Sequence, residues 1–244
     1  MHRFYADPAR SSDEIAFLTP EDSHHALDVL RLKAGDHAEI ILNGLRMEGE
    51  ICLSGDRDLS VRIVSMLPST EPALQVTLFQ GLPKADKMDL IVQKATELGV
   101  SRIVPVFMSR CVVKPDPKDL NRKLERWNRI AREAGKQSGR CVIPVIAEPV
   151  RLNRLPYYIP LPEINAVPWE EASGFGPLAF RNKYPVLSSL GILIGPEGGI
   201  EKNEIQVLES AGFIPVTLGK RILRTETAGL AAISSFMSLY GEME

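Results

Sequence analysis

Ser189-Leu190-Gly191-Ile192-Leu193-Ile194-Gly195-Pro196-Glu197-Gly198-Gly199 is the stretch that decides the fold. Its first half is almost continuously apolar, without the alternation of a half-exposed strand, and therefore reads as a strand buried on both faces, as in parallel sheets covered by helices. It runs straight into a glycine-rich turn. Open α/β sheets bind ligands at the carboxyl ends of such strands. Three glycines allow close approach to the backbone, Pro196 stiffens the turn, and Glu197 adds an acceptor. The spacing is not that of a Gly-x-Gly-x-x-Gly dinucleotide loop, and no Gly-x-x-x-x-Gly-Lys-Ser/Thr phosphate loop occurs in the chain. Taken alone, the turn fits a ligand loop or a tight structural connection equally well.

Downstream, a strand over Ile214–Leu218 leads into a second turn, Leu218-Gly219-Lys220-Arg221-Ile222-Leu223-Arg224-Thr225-Glu226-Thr227. Arg221 and Arg224 flank an apolar pair, so the backbone can line an apolar slot while the guanidinium groups face a substrate. Thr225 or Thr227 also suits the cap of the helix that follows, with Glu226 at its positive end. Both roles remain open from the residues alone. The helix itself, Thr225–Tyr240, is apolar on more than one face, as expected of a central helix or of a subunit interface.

Upstream, the pattern alternates between strand and helix. Strands are expected at Leu74–Gln80, Arg102–Phe107, Val142–Ile146, Ile164–Val167 and Leu190–Ile194, and helices at Asp86–Leu98, Asp119–Ser138 and Glu201–Ala211. In Asp86–Leu98 the apolar residues Met88, Ile91, Val92, Ala95 and Leu98 recur at helical spacing. Pro115 and Pro117 mark a loop, and Pro149, Pro156, Pro160 and Pro162 forbid a long helix across 149–162. This is α/β order. Residues 1–67 form a smaller unit: a helix near Pro20–Leu30, then strands at Ala38–Leu42, Leu45–Leu53 and Leu59–Met66, with an Asn43-Gly44 hairpin turn between the first two. Pro68-Ser69-Thr70-Glu71-Pro72 interrupts every pattern, which places domains at 1–70 and 73–244.

The 244 residues are 44% hydrophobic and 25% charged, a folded composition. The net charge of −2 argues against wholesale polyanion binding but hides an asymmetry. Residues 1–70 hold 7 Lys/Arg against 12 Asp/Glu, whereas residues 71–244 hold 22 against 19. The strongest basic segment is 118–140, with 8 Lys/Arg against 3 Asp/Glu and an apolar stripe through Leu120, Leu124, Trp127, Ile130, Ala131 and Ala134. It is a solvated helix face or a phosphate-binding one. All four histidines lie within the first 37 residues, which removes Ser/His/Asp triads and histidine-built metal sites from the rest of the chain. Three dispersed cysteines suit a reducing compartment. The amino-terminal residues lack an apolar export core and no stretch is apolar enough to span a membrane, so a cytoplasmic protein without metal or membrane partner is expected.

The two glycine turns closely resemble the cofactor loops of the knotted SPOUT methyltransferases. Within that superfamily the chain is similar to the enzymes that methylate uridine N3 in small-subunit ribosomal RNA. Asp86–Val100, Arg126-Trp127, Gln137-Ser138-Gly139-Arg140, Arg3-Phe4-Tyr5 and Val29-Leu30-Arg31-Leu32 carry the same likeness. The chain departs from the family pattern at Ile200-Glu201, where an aromatic followed by Ser or Thr is usual, and in the proline-rich 149–162 stretch. The resemblance implies an N-terminal PUA-like RNA-binding barrel and a trefoil-knotted α/β methyltransferase domain that forms a homodimer. It implies S-adenosyl-L-methionine held by Leu193, Gly195, Pro196, Glu197, Gly198, Leu218, Gly219, Ile222, Leu223 and Thr227, with a further loop near Val167–Glu170. A sulfonium methyl is already electrophilic, so the protein must mainly align nucleophile and donor and exclude water. Arg224 and Glu226 are the expected catalytic residues, with Glu197 as an alternative base. Contacts to small-subunit ribosomal RNA, or to the small ribosomal subunit, are expected from Arg3, Arg31, Lys84, Arg126 and Arg140. Competing expectations are a related methyltransferase with another RNA target and a noncatalytic RNA-binding or assembly protein.

Overall fold

In the computed structural model, which describes all residues except 55–57, 113–115 and 158–160, the chain divides into two units. The first holds Met1–Glu71 together with Gly135–Val142, and the second holds Pro72–Ala134 and Ile143–Glu244. Pro115 and Pro160 lie outside the described residues.

The first unit is built on β1 (His2–Tyr5), β2 (Ile15–Phe17), β3 (His37–Leu42), β4 (Leu45–Ser54) and β5 (Asp58–Met66), in spatial order β1-β3-β4-β5-β2. Asn43 and Gly44 both take positive φ, 52° and 78°, as a two-residue hairpin between twisted strands requires. A bridge between Ala6 and Leu18 joins the chain just beyond the two edge strands. Phe4, Leu18, Ile40, Ile51 and Val61 fill the core. β1 and β2 have four and three residues, too short for alternation to mark them in the sequence. The helix expected over Pro20–Leu30 is shorter. α1 spans Pro20–His24, capped by the Thr19 hydroxyl accepting from the Asp22 N–H, and a π-helical turn covers His25–Val29.

Segment 135–142 enters this unit on the carboxylate of Glu71. The carboxylate accepts from the Arg140 guanidinium (2.6 Å) and from the N–H groups of Cys141 (2.6 Å) and Val142 (3.2 Å). The Tyr5 hydroxyl donates to the Arg140 carbonyl at 2.6 Å. These bonds occupy the backbone expected to form a strand from Val142, so that strand shrinks to β8 (Val145–Ile146).

The second unit continues with β6 (Gln75–Gly81), α2 (Lys87–Glu97), β7 (Arg102–Phe107), α3 (Pro117–Ser138, whose end belongs to the first unit), β9 (Val150–Arg151), β10 (Ile164–Pro168), α4 (Pro177–Lys183), β11 (Ser189–Ile194), α5 (Lys202–Ser210), β12 (Phe213–Val216) and α6 (Thr225–Leu239). A seven-stranded parallel sheet has the order β12-β10-β11-β6-β7-β8, with β9 also on β7. This is the expected α/β class. β9 and a 3-10 run over Leu152–Tyr157 lie inside the segment read as loop. α4 carries no strong periodicity and buries only Phe180, which explains its absence from the sequence reading. α6 packs on α2, α4, β6 and β11, burying Ala232, Ile233, Phe236 and Met237, so its two-sided apolarity matches a central position. Because β12, β10 and β11 are adjacent and parallel, their carboxyl ends emerge side by side.

Candidate active site

The three loops at those carboxyl ends line one cavity of about 440 Å³. Pro168 ends β10 and is followed by Trp169 and Glu170, Ile194 ends β11 and is followed by Gly195–Ile200, and Thr217–Arg224 follow β12, with Thr225 and Ala228 of α6. The two glycine turns, some twenty residues apart in sequence, are thus walls of one site.

Close backbone approaches hold them there. A Cβ at Gly81, the last residue of β6, would stand 2.7 Å from both the ring and the nitrogen of Pro196, so only glycine lets β6 abut the loop. The Thr225 hydroxyl donates to the Gly195 carbonyl at 2.6 Å and accepts from the amide of the fully buried Gln80 at 3.0 Å. Thr225 therefore ties α6 to the first loop instead of capping its own helix. The N-cap residue is Arg224, in extended conformation and without a side-chain cap. After the Gly198-Gly199 turn, Glu201 precedes α5 and its N–H donates to Glu204 at 3.1 Å. This supplies the cap where the family pattern has Ser or Thr.

Charges cluster at the edge of the cavity. Lys87, at the start of α2, bridges Glu197 (3.2 Å) and Glu226 (3.1 Å), and Glu197 also accepts the Lys84 N–H at 3.0 Å. The Glu226 carboxyl is held below the usual carboxylate range by its own backbone N–H and by Lys87. Burial pushes the Glu197 carboxyl up, but its own N–H, the Lys84 N–H and Lys87 outweigh that and hold it low. Hydrogen bonding to Glu226, then to Glu197, holds the Lys87 ammonium above its ordinary value against the cost of burial. Arg110 donates to the Gly198 carbonyl at 2.7 Å, which fixes the glycine turn.

Of the expected site residues, Gly195, Pro196, Glu197, Gly198, Leu218, Gly219, Ile222, Leu223 and Arg224 line the cavity. Leu193 does not; it is fully buried in β11 as a core residue. Thr227 is exposed and stands outside the lining, and Glu226 sits behind it on Lys87. Two expected RNA contacts need correction. Arg140 is 5% exposed and locked on Glu71, and Arg3 pairs with Glu39, so both guanidinium groups are committed to holding the first unit together. Arg31 and Lys84 are exposed, and Arg126, half exposed, pairs with Asp89. The sequence reading missed Gln80, Lys87 and Arg110. A glutamine ending an apolar strand was a visible signal for the first; Lys87 lies in Asp86–Val100, a stretch that carries the family likeness without giving it a role, and nothing in the sequence marked Arg110. Among the described residues no cluster of three or more His, Cys, Asp or Glu could hold a metal ion, and no helix is long and apolar enough to cross a membrane.

Residues 70–237 match the RNA methyltransferase domain family. Ribosomal RNA small subunit methyltransferase E of Bacillus subtilis is 35% identical, over 96% of this chain and 95% of that protein. Its namesake in Aquifex aeolicus is 34% identical, over 98% and 100%. A crystal structure of ribosomal RNA small subunit methyltransferase E from Neisseria gonorrhoeae bound to S-adenosyl methionine superposes with a TM-score of 0.83, at 30% identity and full coverage of both chains. With two thirds of its length inside the domain match and near-complete alignment to these relatives, the chain belongs to the RNA methyltransferase family, among the ribosomal RNA small subunit methyltransferase E proteins.

Proposed function

We propose that this protein is an S-adenosyl-L-methionine-dependent methyltransferase that methylates N3 of a uridine in small-subunit ribosomal RNA, acting as a homodimer in the cytoplasm. The observation that carries the reading is the single cavity lined by the loops after β10, β11 and β12. Its volume lies in the range of small-ligand sites. Gly219, at φ 102°, has nothing within 4 Å of where a Cβ would stand, which leaves backbone open to a ligand. Ile222 is 83% exposed beside half-buried Leu218 and Leu223, offering apolar surface to a flat ring. These residues fit the cofactor: Gly195–Gly198, Leu218-Gly219 and Ile222-Leu223 would hold it.

When bound, that cofactor supplies a methyl group activated on sulfonium. The remaining work is done by the chain. Rigid loops align the target with the donor, and Arg224 stabilises charge on the uracil as its imide proton leaves. Glu226 is ionised at neutral pH and can accept that proton. Its carboxyl is held low and paired with Lys87 outside the cavity lining, which weakens it as a base, so most of the acceleration falls to alignment and to Arg224. N3 lies on the pairing edge, so the target uridine is unpaired or extruded when it reacts. Arg31, Lys84 and Arg126, with the exposed cations of α3, are the proposed RNA contacts.

In the same reading residues 1–70 form a PUA-like RNA-binding barrel and residues 73–244 a trefoil-knotted SPOUT domain, whose segment 135–142 is grouped with the first unit. The bridge between Ala6 and Leu18, which links the two edges of the five-stranded sheet, supports the barrel assignment. Mass spectrometry of nucleosides from small-subunit RNA tests the function. Cells lacking the protein should lose 3-methyluridine. Loss of a different mark, or calorimetry showing no heat with S-adenosylhomocysteine, overturns the reading in favour of another target or a noncatalytic role.

A further inference from the structure

Two links join the first turn of α6 to the loop after β11, and they differ in kind. The Thr225 hydroxyl, buried and neutral, fixes a side chain of α6 to the loop backbone. The Lys87 ammonium, one third exposed, fixes side chain to side chain by standing between Glu197 and Glu226. The turn that delivers it carries Ala85 at φ 51°, uncommon for a residue with a side chain, and directs the Lys84 N–H to the same Glu197 oxygen.

We propose that Lys87 is a positioning residue of the methyl-transfer site, holding Glu197 and Glu226 together so that Arg224, the residue at which the loop after β12 becomes α6, faces the donor in one orientation. The proposal rests on the function proposed above. A partly exposed ion pair contributes little to stability, so global folding alone does not account for a lysine shared by two carboxylates at a cavity edge. The local electrostatics do. Without the ammonium, Glu197 and Glu226 confront each other as like charges, and such a pair separates or takes up a proton. Either outcome releases the first turn of α6, and Arg224 with it, while the Thr225 hydroxyl and the close approach of Gly81 to Pro196 still hold the loop backbone. The groups facing Lys87 are Glu197 from the loop after β11, Glu226 from α6 and the N–H of Lys84. Asp86 and Asp89, beside it in sequence, are engaged by Arg126.

The test compares full-length wild type, Lys87→Met and Lys87→Arg in S-adenosylhomocysteine binding and in single-turnover methylation of small-subunit RNA across pH. Lys87→Met should keep a wild-type melting temperature and cofactor affinity within about threefold, while its single-turnover rate falls about tenfold. The acid limb of its pH-rate profile should move to higher pH, because the two carboxyls lose the cation that holds them low. Lys87→Arg should restore both rate and limb. An unchanged rate and limb, a loss confined to cofactor affinity, or an arginine variant as poor as the methionine one overturns the proposal. A wild type that neither binds S-adenosylhomocysteine nor methylates the RNA overturns the functional reading instead, and shows itself before any variant is made.

Discussion

Arg224 sits where the loop after β12 becomes α6. It is exposed on the cavity wall, and among the described residues it has no carboxylate partner. A cation left unpaired beside such a cavity keeps its field for whatever enters. Arg224→Ala should therefore lower single-turnover methylation by about 2 kcal/mol or more in barrier while changing cofactor affinity little. Equal losses in rate and affinity would return the residue to binding. Arg140 is the opposite case. It is basic and adjacent to a glycine, and in sequence it looks like a nucleic-acid contact, but its guanidinium is buried against Glu71. Arg140→Ala leaves the Glu71 carboxylate without its cation, on the N–H groups of Cys141 and Val142 alone, and should destabilise the first unit by about 3 kcal/mol, read as a lower unfolding midpoint. The salt dependence of RNA binding should stay as it was.

At the scale of elements, α3 shows how far a charge count reaches. The sequence presents a strip of cations, and the structure sets carboxylates beside part of it: Arg122 pairs with Asp119, Arg126 with Asp89, Arg129 with Glu133 and Lys136 with Asp22. Lys123 and Arg132 have no carboxylate partner among the described residues. Reversing these two to Glu should weaken binding to small-subunit RNA and flatten the log-log salt slope by roughly 0.7 to 0.9 for each phosphate that is no longer neutralised. The same double change with an unaltered slope means that α3 is only a solvated face. The parallel strands β6, β7, β10 and β11 were legible in the sequence because each is an apolar run with a clear stop. β1 and β2 were not, because three or four residues cannot display a period. The two glycine turns were legible as candidates because both follow strands. That they share a cavity was not, since it depends on β10 lying between β11 and β12, an order that no local pattern encodes. Lys87 was hidden for the same reason: its partners are 110 and 139 residues away along the chain.

For the molecule as a whole, two separate cores mean that unfolding need not be a single transition, and pH offers a way to tell the units apart. Burial, only partly opposed by Arg3, pushes the Tyr5 phenol up to about 12 from its ordinary value of 10. Between those values the unfolded chain releases the phenolic proton while the folded unit keeps it. The unfolded state then binds fewer protons, and stability falls as pH rises through that window. Two pH units set an upper limit of about 2.7 kcal/mol, and partial exposure of the ring brings the expected loss nearer to 1 or 2 kcal/mol. The transition that carries β1 should show the Tyr5 contribution; burial also raises the Tyr240 phenol of the second unit, so the transition of the parallel sheet has a slope of the same sign, which Tyr5→Phe leaves unchanged. Tyr5→Phe removes the titrating group together with the hydrogen bond to the Arg140 carbonyl, so it should start about 1 kcal/mol less stable at neutral pH. It should then converge on the wild type as the pH passes 11. Chemical denaturation of both proteins from pH 8 to 12, followed by near-ultraviolet absorbance of the phenolate, measures the convergence. Parallel curves throughout would mean that the Tyr5 hydroxyl titrates freely and does not anchor the segment that carries Arg140.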